Sequence, residues 1–239
     1  MKAAIVLVVA LLIVLLGCAA AGGAGAAGQK RLSVLFVGNS LTAGNDLPGM
    51  VAAIARGVGH TSIDVQMVAP GGYALEDHWA NGTALEKIRS GRFDVVVLQQ
   101  GPSSLPESRV NLIDWTQRFA DEARAHGTRP AVLTVWPERE RFSVFADVVR
   151  NYRDAARASN ALLLPAGAAW RNAFRRRPAI RLYAPDAFHP SPLGTYLAAL
   201  VAYTGLTGEL PRPLPAAGGV KPTGRTAVVL RAATSDLWP

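Results

Sequence analysis

The sequence predicts a single α/β domain: a five-stranded parallel sheet with helices over both faces, a three-layer α/β/α arrangement. Three observations carry this. Apolar runs of strand length alternate with amphipathic stretches of helix length along most of the chain. Two of the runs, Leu32–Val37 and Val95–Leu98, are almost continuously apolar, as strands buried on both faces must be. Strands separated by helices need crossover connections, and crossovers make the strands parallel. With 239 residues, 50% of them hydrophobic, the chain has material for a sizeable core, and no internal repeat or interdomain linker interrupts it.

The elements follow in order. Leu32 to Val37 is the first strand, and Leu47 to Val58 has the helical pattern. Ile63 to Ala69 is the second strand; its alternating Asp64 and Gln66 put it nearer an edge. Asp94 to Leu98 is the third and central strand. Arg109 to His126 forms a long helix, closed by Gly127. Ala131 to Trp136 is the fourth strand, stopped by Pro137. Phe142 to Ser159 is helical, with Phe142, Phe145, Val148 and Val149 on one face. Ala161 to Leu164 is the fifth strand and Leu193 to Thr204 the last clear helix. The domain is expected over 31–210. A Pro/Gly-rich extension, 211–239, follows, with a short helix over Thr226 to Leu237.

Composition excludes several function classes. The one cysteine, Cys18, supports neither a disulfide framework nor a Cys-rich zinc module. The net charge of +8 comes from 21 arginines and 4 lysines against 17 acidic residues, scattered along the chain. Without a dense basic run, no nucleic-acid partner is expected. His60, His78 and His126 show no ligand spacing, so neither metal nor cofactor is expected, and His78, after Glu76-Asp77, reads as a surface residue, with a place in the cleft wall as the alternative. Glu138 to Arg141, on the active-site edge of the sheet, read as a solvated ion-pair loop with a substrate role as the alternative, and Arg175–Arg177 as a solvated helix end with anionic lipid headgroups as the alternative partner.

The first segment is an address. Met1-Lys2 precedes an apolar run from Ala3 to Leu16, short of the roughly 20 residues a spanning helix needs. Leu15-Leu16-Gly17-Cys18 resembles a bacterial lipobox, with 1–17 removed, Cys18 acylated and 18–30 left as a flexible tether. A plain signal cut between Ala19 and Gly28, or an uncleaved anchor, is the other reading. Either way the expected location is the bacterial cell envelope, membrane-anchored or secreted, with a monomer as the expected state.

In a parallel sheet, chemistry gathers at the carboxyl ends of the strands. The first strand ends in Gly38-Asn39-Ser40-Leu41-Thr42, where a glycine turn puts a serine at a strand-to-helix junction. Thr42 stands where the nucleophile elbow has its second glycine, so alone Ser40 reads first as a helix cap or turn residue. Asp186-Ala187-Phe188-His189-Pro190 spaces an aspartate to hold the histidine's Nδ1, leaving Nε2 free to take a proton from a serine. Either motif is weak alone. One after the first strand and one after the last reinforce each other.

These two blocks resemble the SGNH (GDSL-type) hydrolases, with Asn39 in place of the usual aspartate. Ala69-Pro70-Gly71-Gly72-Tyr73 falls where that family has its glycine block. The resemblance runs from about Leu32 to Gly208. It implies a flavodoxin-like sheet and ester hydrolysis, with Ser40 as nucleophile, His189 as general base and Asp186 as its orienting partner. Ser40 N–H and Gly72 N–H would be oxyanion donors. The third block departs: the family's Gly-x-Asn-Asp is replaced by Leu98-Gln99-Gln100-Gly101-Pro102-Ser103. Gln100 is the expected amide donor, with Ser103 the alternative and strand-end capping the plain reading of both glutamines. The expectation is a secreted or lipid-anchored serine esterase acting on small-molecule or glycan esters. A non-catalytic envelope lipoprotein that binds glycan or a partner is the competing expectation.

Overall fold

The computed structural model describes residues 30–238. The signal segment, Cys18 and all but the last residue of the expected tether lie outside the described residues. Five strands, β1 (Lys30–Val37), β2 (Thr61–Val68), β3 (Val95–Leu98), β4 (Arg129–Leu133) and β5 (Leu162–Leu164), form one sheet in the order β2-β1-β3-β4-β5, every neighbouring pair parallel. The strand with polar residues at alternate positions is an edge strand, and the most apolar run lies at the centre.

Successive side chains of a strand leave by opposite faces, so each buried strand feeds two cores. Val34 and Phe36 of β1 and Val95 and Val97 of β3 join the larger cluster, with α2 (Leu47–Val58), α6 (Phe145–Ala158), α7 (Ala166–Arg176) and α8 (Pro192–Thr207). Leu35, Val37, Val96 and Leu98 join the smaller one, with α3 (Leu75–Asn81), α4 (Thr83–Arg89) and Phe119 and Ala123 of α5 (Pro106–Ala125). Apolar all round, α8 is buried along nearly its whole length, as a helix of that composition must be. Val229, Leu230 and Ala233 of α9 (Gly224–Ser235) also enter the larger core, which therefore continues past residue 210.

Two helices, α3 and α4, stand where the sequence reading had none, and α7 supplies the helix whose end was read at Arg175–Arg177. The helix expected from Phe142 begins instead at Phe145, because Arg139–Val144 wind as a tighter 3-10 turn in which Arg141 (φ −98°, ψ 28°) leaves helical geometry.

The parallel ladders end in register, Val37 beside Val68 on one side and Leu98 on the other. The chain turns outward from β1 to β2 but inward to β3, so a crevice opens beyond the carboxyl end of β1, where sheets of this order place their ligands.

Candidate active site

Ser40 begins a one-turn helix, α1 (Ser40–Ala43), directly after β1. The turn before it is crowded: a Cβ on Gly38 would lie 2.4 Å from Gln99 Oε1 and 2.6 Å from Thr42 Oγ1, so only glycine fits. Gln99, 1% exposed, ties this turn to β3. Its Oε1 accepts from Asn39 N–H (3.0 Å) and from the Thr42 hydroxyl (2.7 Å), and its Nε2 donates to Asn39 Oδ1 (3.1 Å). Thr42, which displaces the elbow's second glycine, is thereby an anchor. Asn39 caps α1 by accepting from Leu41 N–H (3.1 Å) and donates its amide to Tyr73 O (2.9 Å), a bond that the family's usual aspartate cannot make.

The opposite wall comes from the segment 184–190. Asp186 Oδ1 accepts from the backbone N–H groups of Phe188 (3.1 Å) and His189 (3.0 Å), while Ala187 takes a left-handed conformation at φ +59°. This compact turn aims His189 back at the carboxylate, its Nδ1 lying 2.6 Å from Asp186 Oδ2. With Nδ1–H donated there, Nε2 is the acceptor, and it lies 2.9 Å from Ser40 Oγ, across 149 positions of chain. The His189 bond, aided by the backbone donors, holds the Asp186 carboxyl below its ordinary pKa, so it is ionised at neutral pH.

Pro70–Tyr73 form a turn after β2, with Gly72 at φ +78°, which favours glycine. Ser40 and Gly72 both line a cleft of about 620 Å³, and neither backbone N–H donates to another group among the described residues. Gln100, 3% exposed, lines the same cleft. Its Oε1 accepts from Leu75 N–H (3.2 Å), and its Nε2 donates to Ser103 Oγ (3.1 Å) and, at a long 3.4 Å, to Asn111 Oδ1. Ser103 in turn donates to Gly101 O (3.2 Å). The two glutamines thus differ in kind: Gln99 faces inward as a clamp and Gln100 borders the cleft.

His78 departs from its expectation. It is 1% exposed, not a surface residue. Its Nε2 donates to Gly38 O (2.7 Å) immediately before the serine turn, and Tyr73 packs edge-on against its ring. Burial lowers its pKa, more than the Gly38 bond and Asp77 raise it, which favours the neutral ring. Nothing in the sequence around His78 revealed this, because the contact is made only when the first two βα loops stack. Glu138 and Arg141 pair at 3.6 Å and both line the cleft, and Arg141 reaches Ser104 Oγ (2.9 Å). Trp136 and Trp170 stack in the core, and Trp136 Nε1 donates to Phe188 O (3.1 Å), bracing the histidine loop from beneath.

No family model matches the sequence, and no curated protein matches it significantly. Solved structures do. A Slackia heliotrinireducens protein assigned to the SGNH hydrolases is 28% identical, with a TM-score of 0.61, covering 74% of this chain and 100% of its own. A DUF4886 family protein from Bacteroides uniformis is 17% identical at a TM-score of 0.69, covering 88% of this chain and 96% of its own. An acetyl-xylooligosaccharide esterase from Geobacillus is 16% identical at 0.55, covering 75% and 94%. The last two likenesses are of fold. In its sheet and its sequence blocks the chain is similar to the SGNH (GDSL-type) hydrolases, and the five-stranded parallel sheet with helices over both faces is the fold it shares with these structures.

Proposed function

We propose that the protein is a serine esterase that cleaves carboxylic esters in two acyl-transfer steps. The observation that carries this reading is the 2.9 Å approach of His189 Nε2 to Ser40 Oγ, with Asp186 at the other ring nitrogen. His189 takes the hydroxyl proton as Ser40 attacks the ester carbonyl, and Asp186 stabilises the imidazolium that forms. Negative charge developing on the carbonyl oxygen is received by the unengaged N–H groups of Ser40 and Gly72. Gln100 is the third donor, through the hydrogen on its long bond to Asn111, which is the weaker of its two. The proton then passes from His189 to the leaving alcohol, and water repeats the sequence on the acyl-enzyme.

The alcohol half of the substrate is a hydroxyl-rich one, such as an acylated sugar. Glu107, Ser108, Asn111, Glu138 and Arg141 line the cleft with donors and acceptors suited to hydroxyl groups. The enzyme works at the cell envelope, tethered through acylated Cys18. Mass spectrometry of the mature N-terminus is expected to find diacylglyceryl-cysteine, and a free terminus beyond Ala19 would remove the anchor. Turnover of acetylated xylose or glucosamine oligomers against p-nitrophenyl octanoate tests the substrate class. Preference for the sugar esters is expected, and preference for the octanoate contradicts it. Absence of all turnover by the folded protein would favour the binding-only reading.

A further inference from the structure

A second cleft, of about 610 Å³, lies between the 139–144 turn, α6, α7 and the segment leading to Tyr183, and shares no lining residue with the Ser40 cleft. Its size is within the roughly 300–1,000 Å³ of small-molecule sites. One wall is aromatic: Phe174 meets Phe142 edge-on at 5.6 Å and stacks on Tyr183 at 5.8 Å, and Phe142 is left 42% exposed. Arg139, Arg171 and Arg175 line it, and no acidic residue does. Arg141, Arg150 and Arg176 each pair with a carboxylate. Among the described residues Arg139, Arg171 and Arg175 form no ion pair, and Arg175 has only the neutral Asn172 Oδ1 (2.6 Å). Three like charges gathered at an apolar wall, each without a counter-ion, are matched by one ligand chemistry: an anion on a hydrocarbon chain.

We propose that this cleft binds a single-chain fatty carboxylate, its chain against Phe142, Phe174 and Tyr183 and its head on Arg139, Arg171 and Arg175. Guanidinium forks match the two carboxylate oxygens in geometry and charge. The site is separate from the proposed esterase centre and does not depend on it. Calorimetric titration of the purified protein with octanoate, decanoate and laurate, kept below their micelle concentrations, reads it directly. Affinity should rise with chain length, by up to about fourfold per methylene. The Arg171→Gln/Arg175→Gln double variant, changed only at the cleft rim, should bind decanoate about tenfold more weakly and decanol unchanged. Ala146→Trp, which fills the cleft, should bind neither, with near-ultraviolet circular dichroism confirming that both variants are folded. Three results would overturn the proposal: no carboxylate binding by the wild type, undiminished binding in both folded variants, or preference for dodecyl phosphate over laurate.

Discussion

The two halves of the candidate site are held in opposite ways. The serine turn is buried and secured from a distance: Gln99 reaches it from β3, His78 from α3 and Tyr73 from the second loop, across 34 to 60 positions of chain. The histidine turn is open, with side chains 39% exposed at His189 and 50% at Asp186; Asp186 sets the ring's direction locally, within three residues, while Trp136 and the backbone N–H of Arg139 brace the loop from outside. A nucleophile placed by tertiary packing is only as well positioned as the whole fold, whereas a base placed by turn chemistry carries its geometry with it. Substitutions should therefore damage the first half through the fold and the second half through the reaction.

The largest effects are expected where the halves meet. Ser40→Ala and His189→Ala should each lower kcat on p-nitrophenyl acetate by about a thousandfold or more at unchanged Tm, and the double variant should be little worse than either single one. Multiplicative losses would mean that the two residues do not act together.

Substitutions within the serine turn come next. Gln99→Ala strands two buried donors, Asn39 N–H and the Thr42 hydroxyl, and should cost about 2–4 kcal/mol in urea unfolding together with most activity. Gly38→Ala forces its methyl into Gln99 and Thr42 and should cost about 1–3 kcal/mol. The mirror-image change on the other side, Ala187→Gly, should be harmless or stabilise by up to about 1 kcal/mol, because glycine relieves the φ +59° backbone. If Ala187→Gly proved as damaging as Gly38→Ala, the distinction between the two turns would collapse.

The smallest effect is in pH. Because burial holds the folded pKa of His78 below 6.5, the unfolded chain takes up the proton first as pH falls. The stabilisation from His78 is complete above about 6.5 and is lost progressively as pH drops from there toward the lower folded value. Urea unfolding at pH 7.5 and 5.5 should show a smaller loss of stability on acidification in His78→Gln than in the wild type. An equal loss in both would assign the acid sensitivity to other groups.

Much of this arrangement is legible in the sequence, and the boundary is physical. Apolar continuity revealed Val95–Leu98 as central, and the alternating Asp64 and Gln66 revealed β2 as an edge, because burial on two faces or one acts on every residue of a strand. The Asp186–His189 pairing was legible for the reason it is robust: its geometry is local. Gln99 was recognisable as a strand-end amide but not as the clamp on Asn39 and Thr42, and His78 looked like a surface residue beside two acids. Both roles arise from loops that only the assembled sheet brings together. The helices α3 and α4 were missed because seven residues on either side of Gly82 are too few to show a period. The arginine-lined cleft was equally hidden, since Arg139, Arg171 and Phe142 are joined only by packing.

Labelling by a fluorophosphonate tests the pairing of Ser40 with His189 most directly, since the reagent captures only an activated serine. Peptide mass mapping should find a single phosphonyl adduct, on Ser40, formed rapidly by the wild type and at most slowly by His189→Ala. Failure of the folded wild type to label, or labelling at the same rate without the imidazole, would contradict the account.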